Sequence, residues 1–418
     1  MISTMKAPDK VWVVSEVYYP DEQGGGHFMT KLAEGLAHIY DVYAICGFPP
    51  HVRGQRSLPK REIHNSVHIE RCFSTKYDKK LLSLRLINFI TISISIFFKL
   101  LSKISKGDLV IVVTTPPSLP FVIAFTCKLV RAKCVLRIED IYPETLIATG
   151  IAESKSILVR LMSCFNCWLY GSVDHIAVLG RDMKQLVERK LDHNLKVDRI
   201  TIIPNWADTD LVAPMPKHNN SLINELGLIN KFVVQCAGNM GHAQGIENIF
   251  MATEMLQAQI DIHFLFIGTG VKKEWMEKTI KDKQLKNITI LGQRPRIDQP
   301  NFLNACDVAI VSLISGMKGV AVPSRLYNIM ATGKPIIAIA EHDSEVSLVI
   351  NEEEIGWVVS PGEPNRLAEV ILDAYSDSAR LQQMGSRSRQ VVENKYTYNK
   401  GIESYCSLIK NLSSQRAI

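Results

Sequence analysis

Residues Gly319 to Pro335 read GVAVPSRLYNIMATGKP. Pro323, Ser324 and Arg325 form a turn that runs into a short helix, Leu326 to Ala331, and Gly333-Lys334-Pro335 ends that helix before the apolar strand Ile336 to Ala340. A helix opening on such a turn offers unpaired backbone N–H groups at the positive end of its dipole, which suits a phosphate. Arg325 adds a fixed charge able to hold two phosphate oxygens at once. CAGNMGHAQG, Cys236 to Gly245, has the strand, glycine turn and helix that cradle a pyrophosphate, with Gly238, Asn239, Met240, Gly241 and Gln244 in the turn. FIGTG, with Gly268 and Gly270, is a second such turn before Lys272 and Lys273. Gly24, Gly25 and Gly26 precede a helix and let the backbone approach a ligand closely. RIEDIYPE crowds Glu139, Asp140 and Glu144 after an apolar strand. Paired acids in a cleft can do acid–base work, an exposed acidic loop being the plainer account.

Alternating strands and helices must position these groups. Val11–Val17, Asp41–Cys46, Leu109–Val113, Cys134–Ile138, His175–Leu179 and Ile200–Ile203 read as buried strands, with helices at His27–Ile39, Phe121–Val130 and Ile157–Tyr170. The rhythm restarts with strands at Phe232–Ala237, Ile262–Ile267, Ile288–Leu291, Val308–Val311, Ile336–Ala340 and Trp357–Val359. Continuous apolar strands separated by helices predict α/β architecture: two parallel sheets covered on both faces, with ligands bound at the carboxyl ends of the strands, in the cleft between them. The polar stretch Ala213–Asn220 reads as a linker, and Pro204-Asn205-Trp206 as a hinge-side turn.

At 418 residues the chain has room for two cores. Its net charge of +6 belongs to the first half, where residues 1–200 hold 27 Lys and Arg against 19 Asp and Glu. Such asymmetry points to an anionic partner, or to a merely solvated surface. No basic–aromatic stripe supports nucleic acid. Most of the nine cysteines sit in apolar runs, as buried thiols do in a reducing compartment; Cys164 and Cys167 form a lone CxxC. The first ten residues are polar and charged, unlike a secretory signal. Leu86 to Phe98 is an uncharged run of 13 residues, short of the roughly 20 that span a bilayer. Lys79, Lys80 and Arg85 precede it, and Lys99, Lys103 and Lys106 follow it. Apolar residues with basic flanks fit a helix lying in the headgroups of an anionic leaflet; alternatively Ile87, Phe89, Ile90, Phe97 and Phe98 form an ordinary buried face.

From Tyr19 to about Tyr405 the order of these motifs resembles the retaining family 4 glycosyltransferases of the GT-B fold, and within them the L-fucosamine transferase-like enzymes that build O-antigen and other surface polysaccharides. The resemblance implies two Rossmann-like domains facing a cleft. Residues 1–207 plus 397–418 would form the acceptor-binding, membrane-facing domain, and 208–396 the nucleotide-sugar domain, with the last helix crossing back to the first. It places Gly25 and Gly26 near donor diphosphate and acceptor, Asp140 with Glu139 at the acceptor, and the Gly238–Gln244 and Gly268–Gly270 turns at the donor phosphates. Arg294 and Arg296 in GQRPR would border the base; Met317, Lys318, Gly319 and Met240 would lie near the sugar.

There are departures. Many relatives put Arg and Lys where Asn239 and Gln244 stand, so charge neutralisation falls to Arg325, Lys318 or amides. The family's two glutamates, eight residues apart, fall on Val320 and Asn328. Asn328 can still hydrogen-bond a ribose diol, Val320 cannot, and Ser324 is a substitute contact. The histidines lack metal-ligand spacing and no Asp-x-Asp fills a turn directly after a strand, so chemistry without a metal or cofactor is expected. The implied reaction moves an N-acetylated deoxyhexosamine from UDP to a polyprenyl-diphosphate-linked saccharide, peripherally on the cytoplasmic face of a bacterial inner membrane. A non-catalytic assembly protein and a UDP-sugar 2-epimerase are the alternatives.

Overall fold

The computed structural model describes residues 8–22, 24–49, 58–77, 82–191 and 197–414. Strands β1 (Val11–Val14), β2 (Val42–Gly47), β3 (Arg61–His64), β4 (Val67–Cys72), β5 (Leu109–Val113), β6 (Lys133–Arg137), β7 (His175–Val178) and β8 (Ile200–Ile202) form one sheet in the order β3-β4-β2-β1-β5-β6-β7-β8. Its central strands are wholly buried and parallel, Val11 lying opposite both Val42 and Leu109. Helices α1 (Gly24–Ala37), α2 (Leu82–Leu101), α3 (Leu119–Val130), α4 (Glu144–Ala148), α5 (Ile157–Ser172) and α6 (Arg181–Lys190) are the crossovers.

The second sheet has the order β11-β10-β9-β12-β13-β14. It comprises β9 (Phe232–Asn239), β10 (Ile262–Thr269), β11 (Ile288–Leu291), β12 (Val308–Ser312), β13 (Ile336–Ile339) and β14 (Gly356–Val359). Around it lie α7 (Ser221–Glu225), α8 (Ile246–Met255), α9 (Lys273–Lys283), α10 (Gln299–Leu303), α11 (Arg325–Ala331), α12 (Glu345–Glu352), α13 (Pro364–Ser376) and α14 (Ser378–Lys395). The last helix, α15 (Tyr398–Ser414), returns to the first domain. This is the two-domain GT-B architecture that the alternating pattern and the resemblance imply. The chain leaves the first domain and comes back side by side: Ala207 N–H donates to Tyr396 O at 2.9 Å, and Ala207 bridges Thr397.

Two elements differ from expectation for clear reasons. The hairpin β3–β4 was not expected, because Arg61-Glu62-Ile63-His64 is a polar, half-exposed edge strand without an apolar run. Its turn uses Asn65 and Ser66, both at positive φ. The polar stretch Ala213–Asn220 is no linker. Asn304 holds its backbone at Ala213 O and Met215 N, and Lys217 pairs with Asp307 at 2.6 Å, so it belongs to the second domain.

α2 is longer than the uncharged run it contains, extending over 20 residues because Arg85 and Lys99 join its ends. Leu84–Leu101 is long and apolar enough to cross a membrane by length and composition, yet 28% of that stretch is buried in the protein. The packed face is Asn88, Ile92, Ser93, Ile96 and Leu100. Asn88 binds Thr75 and the backbone of Tyr77, and Ser93 meets Ser118, so the helix is a layer of this domain. Ile87, Ile90 and Phe98, taken above as a possible buried face, are instead exposed. Lys79 and Lys80 lie outside the described residues.

The return of α15 is pinned by a buried cation. Arg137 donates to Glu139 at 2.5 Å, to Asn205 at 2.5 Å and to the Tyr405 hydroxyl at 2.6 Å. Tyr398 adds a bond to Lys31 O at 3.0 Å. Replacing one member of a buried ionic network leaves the others desolvated and unpaired, at about 3–5 kcal/mol. Arg137→Ala is therefore expected to lower unfolding free energy by about 3 kcal/mol and to speed amide exchange in α15; an unchanged denaturation midpoint would show that the network carries no stability.

Candidate active site

The first wall of the cleft is built by the carboxyl ends of β1, β5 and β6. After β1 the chain reaches Gly24 and Gly25, both exposed with open space beside them, and enters the 14-residue helix α1. After β5, the Thr114 hydroxyl accepts the amides of Glu139 at 3.1 Å and Asp140 at 3.4 Å, which fixes the loop that follows β6. The two acids then part company. Glu139 is committed to Arg137. The Asp140 carboxylate has no hydrogen bond or ion pair among the described residues, and burial, reinforced by the charge of Glu139, pushes it up to about 6.

The second wall is the turn after β9, stacked on the turn after β10. Gly238 has φ +128°, and a Cβ there would meet the Arg325 guanidinium at 3.0 Å; Gly268 has φ +151°, and its Cβ would lie 1.9 Å from Gly238 O. Only glycine at both positions lets the two turns nest over the guanidinium. Arg325 donates one bond to Ala237 O at 3.0 Å, and burial lowers its pKa. No carboxylate pairs with it among the described residues.

The other cations near this wall are mostly neutralised. Lys318 pairs with Asp343, Lys272 with Glu247, and Arg294 with Asp298 at 3.2 Å. Arg296 has no ion pair among the described residues and leaves its Nε buried without a partner. It faces Asp208 and Glu22, and across the cleft it faces His27, whose pKa is lowered to about 3 by burial and by Arg296 and Lys31. His27 is thus a neutral ring at the junction of the walls.

Several expected contacts take a different form. Met240 N–H donates to Thr269 O at 2.9 Å, and Gly241 N–H to the Gln244 side chain at 3.0 Å, so neither amide is free for a phosphate. Gln244 thereby caps its own turn. Gly270 packs on the backbone of Met240. Met240 and Met317 are core residues, 1% and 3% exposed, which leaves only their backbones for ligand contact. Asn239 is exposed beside Gly241. Ser324 precedes α11 without capping it through its side chain, and Pro323 stands beside it; with seven residues, α11 contributes little dipole. Asn328 is buried, and its Oδ1 has no partner among the described residues. Asp208-Thr209-Asp210 is a hinge turn in which Asp208 accepts Leu211 N–H at 3.0 Å, and no cluster of three metal-ligating side chains occurs among the described residues.

The walls are joined by residues the motif reading missed. Asp182, in the first turn of α6, is buried and accepts Gly319 N–H at 2.9 Å and Glu345 N–H at 3.0 Å, both from the second domain. Next to it, Arg181 pairs with Glu345 at 3.0 Å and Glu352 at 2.7 Å. Ile141 N–H donates to Val320 O at 3.0 Å, and Asp140 bridges Ala321. The loop that begins at Met317 and ends at Arg325 is thus attached to the first domain at Gly319, Val320 and Ala321. The sequence signal was slight: a lone acid opening an otherwise ordinary amphipathic helix.

Two Rossmann-like domains thus face a cleft, with the Arg325 guanidinium under a glycine turn on one wall and the Asp140 carboxyl on the other. Residues 221–391 match the family described as "Glycosyl transferases group 1". A Pseudomonas aeruginosa protein named as glycosyltransferase WbjE is 33% identical over 320 residues, covering 77% of this chain and 78% of its own. An Escherichia coli K12 protein named as colanic acid biosynthesis glycosyl transferase WcaI is 24% identical over 351 residues, covering 81% and 84%. In fold, Anabaena HepE solved with UDP superposes with a TM-score of 0.71 at 14% identity, over 96% of this chain and all of that one; it was also solved with UDP-glucose. The chain belongs to the group 1 glycosyl transferase family and is a glycosyltransferase.

Removing Asp182 leaves two inter-domain amides without their acceptor, at about 1–3 kcal/mol each. Asp182→Ala is expected to widen the cleft, seen as a larger radius of gyration by small-angle scattering; an unchanged scattering curve would show that the other junction bonds suffice.

Proposed function

We propose that this glycosyltransferase acts with retention on a UDP-sugar, carrying an N-acetylated deoxyhexosamine of the FucNAc type or a related HexNAc to a polyprenyl-diphosphate-linked saccharide in O-antigen or capsule assembly. The observation that carries this reading is Arg325, a half-buried cation in the cleft with no carboxylate to neutralise it among the described residues. A diphosphate supplies the missing charge. The name of WcaI, which speaks of colanic acid, supports a polysaccharide product, and the HepE complexes support UDP as carrier.

In this reading the bond between the anomeric carbon and the UDP oxygen breaks as the acceptor oxygen bonds to that carbon from the same face, and the acceptor hydroxyl's proton passes to the departing diphosphate. Arg325 stabilises the charge growing on the departing diphosphate, in a site where burial strengthens the interaction. With two turn amides already engaged, Arg325 carries more of this task than the expected loop would require. The unpartnered Asn328 Oδ1 accepts a hydroxyl of ribose or sugar, doing with a neutral group what a glutamate does in relatives. Arg296 borders the base. Asp140 orients the acceptor hydroxyl, and no metal is needed. The basic, partly apolar first domain places the enzyme peripherally on the cytoplasmic leaflet.

Isothermal titration with UDP tests the donor site. Wild type is expected to bind, and Arg325→Ala to bind about 10- to 100-fold more weakly, the range for losing a charged hydrogen bond. No heat with either UDP or GDP would favour a catalytically silent assembly protein. Conversion of a UDP-sugar to its 2-epimer without acceptor would favour the epimerase.

Asp140 makes a separate prediction. Because its carboxyl is held near 6, turnover should fall as pH drops through about 6 and the anion that receives the acceptor hydroxyl is lost. Asp140→Asn should be slow and flat across that range, and full turnover in this variant would retire the role.

A further inference from the structure

The first domain leaves a broad apolar surface uncovered by its own fold. α2, α3 and α5 lie side by side. The rings of Phe97 and Phe125 join α2 to α3 at 6.4 Å, and Phe121 joins α3 to Phe165 and Trp168 of α5 at 6.3 and 6.4 Å. On α5 the residues Ile157, Leu161, Phe165 and Trp168 recur at helical spacing along one face and are 76, 53, 59 and 43% exposed. Phe125 and Leu129 continue this surface on α3, and Ile90, Ile94 and Phe98 on α2. Soluble monomers rarely leave so large a contiguous apolar area open to water.

Charge on these helices is one-sided. None of the three contains an Asp or Glu, whereas Arg85, Lys128 and Arg160 lie on them, and Lys99 turns back to pair with Glu70 at 3.5 Å. Lys128 stands over the Trp168 ring, 5.6 Å from its centroid. Apolar side chains with Trp and basic residues beside them are the composition of an element lying at a bilayer surface. Self-association through this face is disfavoured, because a two-fold contact would bring the same cations together. α5 is also tied to the acceptor wall: Asn166 donates to Tyr142 O, two residues beyond Asp140.

We propose that α2, α3 and α5 form one platform that seats in the headgroup region of an anionic bilayer, with the Ile157–Trp168 stripe of α5 inserted alongside α2. The inference rests on the peripheral-membrane part of the function above and extends it from one helix to three. Seated this way, the protein holds the Asp140 loop next to the bilayer, where a lipid-linked saccharide presents its reactive end.

Flotation of the full chain with vesicles of phosphatidylethanolamine and phosphatidylglycerol tests the platform, with phosphatidylcholine vesicles alongside. Three variants are compared: Phe165→Glu with Trp168→Glu on α5, Ile90→Glu with Ile94→Glu on α2, and Ile260→Glu as an exposed apolar control on the second domain. UDP titration and circular dichroism report whether each stays folded. Wild type should float with the anionic vesicles and much less with phosphatidylcholine. Each double variant should lose about five-fold or more of the bound fraction, and Ile260→Glu should match wild type. If the α5 variant floats like wild type while the α2 variant does not, the single-helix reading stands and the platform is overturned. If wild type itself does not float, both fall. A dimer in analytical ultracentrifugation that the α5 variant abolishes would assign the face to a second copy and likewise overturn the platform.

Discussion

The whole site depends on the attachment of one loop of the second domain to the first. Residues Gly319 and Val320 lie at the junction, where Asp182 accepts Gly319 N–H and Ile141 N–H donates to Val320 O. These are buried polar contacts between domains, and each is costly to leave unmade. They set the distance between the walls, and so where Arg325 stands relative to Asp140. The apolar core follows the same route, running from Ile138 and Ile141 to Met317, Val320 and Val322.

That constraint gives the unusual residues of the loop a physical reading. Val320 stands where the family resemblance would put a glutamate, and here its side chain is buried in the junction core while its carbonyl accepts from Ile141 of the first domain. A charged side chain in that place would face a desolvation cost. Gln244 and Asn239 replace basic residues, and the Gln244 side chain satisfies an amide of its own turn. With Lys318, Lys272 and Arg294 all paired, the positive charge left on this wall centres on Arg325 and Arg296, and Gly238 and Gly268 make the place of Arg325 under the turn.

Most of the fold was legible because its signals are strong and local. Runs such as Leu-Val-Ile-Val-Val at 109–113 have one sensible fate in a chain punctuated by glycine turns, and the repetition of the pattern announced the second domain. The β3–β4 hairpin was not legible, since an exposed edge strand needs no apolar alternation. At the site, residue types singled out the glycine turns, Arg325 and Asp140 as candidates. They did not disclose that Glu139 is absorbed by Arg137, that Lys318 is paired with Asp343, or that Asp182 reaches into the other domain. The last two concern partners distant in sequence, which neither composition nor spacing encodes; the first turns on which of two adjacent acids meets Arg137, two residues from Glu139. The exposed face of α5 was hidden for the same reason: Ile157 to Trp168 reads as core until the packing shows which side has no neighbour.

The central claim is that the unpaired Arg325 guanidinium is the anchor for the donor diphosphate. A crystal structure of the protein with UDP tests it most directly. The expected result is a diphosphate oxygen within hydrogen-bond distance of the Arg325 guanidinium, beside the Gly238 turn, with the base toward Arg294 and Arg296. A diphosphate held elsewhere in the cleft, with Arg325 still bonded only to Ala237 O, would contradict it.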